Sequence, residues 1–100
     1  MDSRSRFASQ VEEAYDSGNS TRLTVIADNI FSNPTSSTDG DLVAGCLAMV
    51  GINVLMGNAQ RAMTWQRLLT NFHDESALRE ISASHGELGV KAARAIRLRG

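Results

Sequence analysis

Apolar residues recur three and four positions apart along most of this chain and nowhere alternate cleanly, so the pattern predicts helices throughout. In the first stretch Phe7, Val11 and Tyr15 stand four apart with Ala8 and Ala14 beside them, while Arg4, Glu12, Glu13 and Asp16 take the other face. Asp2 or Ser3 is the expected N-cap, the helix runs to about Ser17, and Gly18-Asn19 has the chemistry of a helix end. Leu23, Ile26, Ala27 and Ile30 define a second helix, capped by Ser20 or Thr21. The β-branched Val25, Ile26 and Ile30 would also suit a strand, but the three-and-four spacing decides for helix. Asn33-Pro34 stops it, because a residue before proline is pushed out of the α region. Pro34 to Asp41 then reads as a solvated loop.

Leu42 to Met56 is the most apolar run and contains no charged residue. A helix apolar nearly all round is expected to be buried, with other elements on several sides. Thr38 or Asp39 is its expected cap, Gly57 ends it, and Asn58 caps the next helix. In that helix Ala59, Ala62, Met63, Trp65, Leu68, Leu69 and Phe72 fill roughly 220° of the circumference at about 100° per residue, which predicts neighbours on two sides. Asp74 or Ser76 starts a short helix with Ala77, Leu78 and Ile81 on one face. Ser84-His85-Gly86 is a bend, and Glu87 to Arg99 forms the last helix. The expectation is one all-α domain over residues 1–100, with about six short helices in three antiparallel pairs.

Composition narrows the function more than the fold. One hundred residues make a single domain that buries only about 60–70% of its extended surface, so association would add to its stability. The net charge of −1 favours no class of charged partner. Its distribution is uneven: residues 1–41 hold seven acids and three arginines, and the remainder four acids and seven bases. The single cysteine, Cys46, excludes an internal disulfide and argues against a metal cluster; in its apolar surroundings it reads as a small hydrophobe. The first residues lack the apolar core of a secretory signal, and the Leu42–Met56 run falls short of the roughly 20 residues that span a bilayer. A soluble, cytoplasmic protein without a membrane span is expected.

No phosphate loop, zinc-ligand spacing or nucleophile elbow is present, so no catalytic residue, metal ligand or cofactor is assigned and the chain is expected not to be an enzyme. His73-Asp74-Glu75 falls at a helix start, where acids suit the helix dipole, and His85 reads as a polar helix end. Lys91, Arg94, Arg97 and Arg99 on the last helix are the candidate nucleic-acid contacts of an alternative reading, a small regulator. Four bases are a thin footprint for that role, and a solvated face explains them better. Trp65, Leu68 and Phe72, at i, i+3 and i+7, are the candidate partner-binding residues. They either pack against the last helix pair or line a groove for an amphipathic helix.

A faint repeat underlies the pattern. AYDSGNSTRLTVIADNIF and VLMGNAQRAMTWQRLL each carry a helix end, Gly-Asn, and a helix whose first core residue, Leu23 or Ala62, lies five positions after Gly18 or Gly57. Ile30 and Leu69 follow each glycine by twelve, so the period is 39 residues. GNAQRAMTWQRLL resembles the turn and second helix of a tetratricopeptide repeat: Gly57 stands at its turn glycine, Ala62 at its small close-packing residue and Leu69 at its later apolar site. The family's aromatic positions are occupied by Cys46, Asn53 and Gln66, and Leu23 replaces the small residue in the first copy. The resemblance covers about residues 5–72. It implies a tetratricopeptide-like arrangement or, failing that, a small helical bundle, and a function in binding proteins. Such a module looks like a small adaptor or chaperone holding a partner's amphipathic helix, or a second copy of itself. The needle-subunit chaperones of bacterial type III secretion are one family of that size and style.

Overall fold

Helices form wherever apolar spacing and end residues place them: α1 (Ala8–Asp16), α2 (Ser20–Ser32), α3 (Asp39–Leu55), α4 (Ala59–Thr70), α5 (Glu75–Ser84) and α6 (Gly86–Arg99). The structure, a computed structural model, describes residues 6–99. Asp2, Ser3 and Arg4, expected to cap or face the first helix, lie outside the described residues, as does the side chain of Arg99. Among the described residues there is no strand, so the β-branched stretch in α2 is helical as its spacing requires.

The two Gly-Asn turns are one motif used twice. Gly18 and Gly57 take left-handed backbone angles, φ +68° and +74°. In the first turn the Gly18 N–H donates to Tyr15 O at 3.0 Å and the Asn19 N–H to Ala14 O at 2.8 Å. In the second, Gly57 donates to Val54 O at 3.1 Å and Asn58 to Asn53 O at 2.7 Å. This is the Schellman pattern, which satisfies the last carbonyls of a helix. Each asparagine also begins the next helix, its side-chain oxygen accepting from the N–H of Arg22 or Arg61. The cap of α2 is therefore Asn19, not Ser20 or Thr21, since it is the Asn19 side chain that accepts from the Arg22 N–H at the helix start. Thr38 caps α3 in a reciprocal box with Asp41, and Asp74 caps α5 through the Ala77 N–H.

α3 is the axis. α1, α2 and α4 pack on it, α5 and α6 pair with each other, and α6 folds back onto α2 and the edge of α3. The three pairs thus close into a bundle around Leu23, Ile30, Phe31, Leu42, Trp65 and Ile96. Two mid-helix glycines permit the close approaches. A Cβ on Gly45 would lie 2.7 Å from Cζ of Phe31, and one on Gly51 would lie 3.0 Å from the Tyr15 ring. Glycine there costs about 1 kcal/mol of helix propensity relative to alanine, which the packing offsets. Surface ion pairs set register: Lys91–Asp28 joins α6 to α2, Arg97–Glu75 joins α6 to α5, and Arg67–Asp74 and Arg67–Glu80 brace α4 against α5. Each is exposed enough to contribute at most about 1 kcal/mol.

Ala62 is buried in α4, whereas Gln66, one turn later, is exposed. Ala62→Leu is therefore expected to overpack the helix contact at a cost of about 1–3 kcal/mol, and Gln66→Leu to cost little. Equal shifts of the two urea midpoints would contradict this placement.

Candidate partner-binding groove

The triad at i, i+3 and i+7 on α4 separates in the fold. Trp65 and Leu68 are both 0% exposed, and Phe72 is half-buried at the edge of the same core. Trp65 and Leu68 therefore offer no surface to a partner: both lie within the bundle, because the broad apolar arc of α4 meets α3 on one side and α5 on the other. Other members of that arc, Ala59 and Met63, stay exposed instead.

Trp65 has a partner that sequence spacing did not reveal. Its ring stacks on Phe31, centroids 6.2 Å apart, and meets the edge of His85 at 5.2 Å. The indole Nε1–H donates to His85 Nε2 at 3.2 Å. An indole N–H only donates, so Nε2 must be the unprotonated nitrogen and the imidazole proton stands on Nδ1. Nδ1 is buried and makes no hydrogen bond among the described residues. Burial, and next the positive charge of Arg61, hold the His85 pKa below its ordinary 6.5, with the Ile81 carbonyl opposing. Protonation would set a second N–H against the indole donor.

His85 accordingly binds its proton more readily in the unfolded chain. The neutral-imidazole contribution is complete above about pH 6.5 and is lost as pH falls from there through the lower folded value. Thermal melts of the wild type should therefore drop over that window, while His85→Gln should melt lower at neutral pH and vary less across it. Asp74 acts in a separate range. The Ala77 N–H, and then Arg67, hold its carboxyl below the ordinary 3.8, so its contribution disappears only as pH falls through that lower value.

The bases of α6 are largely committed to the fold. Lys91 bonds Asp28 and the Ser32 hydroxyl, and Arg97 bonds Glu75 through two nitrogens. Arg94 is exposed, beside Val90 and Leu98. Cys46 is fully buried, with its thiol pushed up to about 12 by desolvation, and so is not a nucleophile at neutral pH. Among the described residues no cluster of His, Cys, Asp or Glu could hold a metal ion. None of the described helices is long and apolar enough to cross a membrane.

The exposed apolar surface lies elsewhere. α3 has other elements on several sides, as its apolar run predicts, yet Leu47 and Val54 are each 46% exposed. α1 packs alongside this stretch of α3 but leaves the outer flank of both side chains open. Between α1 and α3 runs a groove of about 340 Å³, floored by Val11, Ala44 and Gly51 and flanked by Tyr15, Leu47 and Val54. Along α3 the residues Val43, Leu47, Val50 and Val54 step by four, three and four, the spacing of a coiled-coil seam. Ala8, Val11 and Tyr15 repeat the step on α1. The signal was in the sequence: more apolar side chains than a helix this central could bury in a chain this short.

Fold and groove together define a small all-α bundle with an open apolar seam. No protein-family model, curated protein or solved structure matches the chain.

Proposed function

We propose that this chain is a non-enzymatic protein-binding module that holds an amphipathic helix of a partner in the α1–α3 groove, as a small adaptor or chaperone does. The observation that carries the proposal is the seam of Val43, Leu47, Val50 and Val54 on the central helix, in which Leu47 and Val54 are each 46% exposed and the two others partly buried. Exposed apolar surface is unfavourable by about 25 cal/mol per Å², and a contiguous exposed strip on a small domain marks an interaction surface. The seam spacing fits one helix laid between α1 and α3, each of its apolar side chains entering a hole between four others. The proposed partner site is therefore the α1–α3 groove and not the Trp65 face of α4, and the tetratricopeptide-like reading enters only through the shared turn of the first two helix pairs. The alternative of nucleic-acid binding through Lys91, Arg94, Arg97 and Arg99 has less support, since two of the three described bases pair with acids of neighbouring helices.

Leu47→Glu and Val54→Glu test the proposal. Both side chains are half in solvent, so the thermal melt of the isolated chain should be nearly unchanged. Capture of a helical partner, measured by calorimetry or anisotropy, should fall at least about tenfold, the loss of one well-packed apolar anchor. A variant that binds as well as the wild type would remove the groove from consideration.

A further inference from the structure

The acids of α1 add a specificity to the groove. Glu12 lines it, and Asp16 stands one turn further on the same face, with Glu13 beside them. None of the three makes an ion pair among the described residues, although Asp28, Asp74, Glu75 and Glu80 all do. α1 itself contains no base, and the apolar wall of α3 opposite, Val43 to Val54, contains no charge. The groove is therefore apolar along its floor with a single acidic rail along one rim.

Resting on the helix-binding proposal for the same groove, we infer that its occupant is an amphipathic helix from another protein whose apolar stripe is flanked by Lys or Arg on the side that meets α1. The flanks of a helix seam choose partner and orientation by charge, since like charges set side by side repel. An occupant with acidic flanks would bring further carboxylates against Glu12 and Asp16; one with basic flanks would pair with them. Basic side chains also suit the rim physically, because their aliphatic stems cover apolar surface while the charge stays in water.

Two synthetic peptides about three heptads long serve as probes, with identical leucine seams and either Lys or Glu at the flanking positions. The wild-type chain should bind the Lys-flanked peptide roughly tenfold more tightly than the Glu-flanked one, a preference that shrinks as salt is added. The double variant Glu12→Lys, Asp16→Lys should reverse the preference, with the melt confirming that it remains folded. Leu47→Glu should weaken both peptides together. Equal binding of the two peptides, unmoved by the double variant, would overturn the charge inference and leave the groove intact. Failure of both peptides to bind would overturn the groove itself. Sedimentation of the chain alone gives the remaining outcome: self-association abolished by Leu47→Glu would assign the groove to a second copy and overturn the inference.

Discussion

Gly89→Ala is expected to destabilise the protein by about 3 kcal/mol or more, the upper range of overpacking, despite replacing glycine inside a helix with the strongest helix former. Gly89 is buried in α6 where it crosses α5. A Cβ there would overlap the carbonyl oxygen of Ile81 and lie 2.9 Å from its carbonyl carbon and from Cβ of His85. The obstacle is backbone, so no rotamer relieves it; α5 and α6 would have to separate, and the His85 contact to Trp65 with them. Gly57→Ala is the control. Nothing lies within 4 Å of a Cβ at that position, so its cost is only the left-handed backbone, about 1–2 kcal/mol. Denaturant midpoints of the two variants should differ clearly. A Gly89→Ala protein as stable as the wild type would mean that the helices do not approach this closely.

Trp65→Ala carries the other large effect, an expected loss of about 3–5 kcal/mol. The deleted ring leaves a cavity against Phe31 and an acceptor nitrogen on His85 without its donor. Leu68→Ala should cost about 2–5 kcal/mol by cavity formation alone, and Phe72→Ala less than either, because that ring is already half in solvent. Trp65→Phe separates packing from hydrogen bonding. It should keep most of the stability and most of the acid sensitivity, since burial and Arg61, which hold the His85 pKa down, both remain. If Trp65→Ala and Leu68→Ala melted like the wild type, α4 would have to present that face outward.

The helix ends were legible in the sequence because they are local chemistry. Thr38 with Asp41, Asn58 after Gly57, and Asp74 before Ala77 each satisfy N–H groups three residues away, and no distant element needs to be known. The Asn19 cap is less legible for a local reason too: Asn19 stands just after the Schellman glycine and serves two helices at once, its backbone closing α1 and its side chain opening α2.

Which apolar face meets a neighbour is another matter. Periodicity shows that Trp65, Leu68 and Phe72 share a flank, and equally that Val43, Leu47, Val50 and Val54 do, but both patterns are properties of a helix alone. Trp65 and Leu68 are buried because α4 packs against both α3 and α5, whereas Leu47 and Val54 on α3 stay about half in solvent, and both outcomes depend on packing among residues far apart in the chain. The glycines divide the same way. Gly18 and Gly57 announce themselves beside asparagine because a turn requires their backbone, whereas Gly45, Gly51 and Gly89 sit mid-helix with no local reason. The hydrogen bond from Trp65 to His85 spans 20 residues, and no spacing rule predicts it. By itself, then, the sequence determined six helices and the Gly-Asn turns, and narrowed most caps to one or two residues, since these depend on neighbours within a turn or two. Only the tertiary structure decided that the tryptophan is core and that the open seam lies on α3, because a side chain's burial depends on what another part of the chain brings to it.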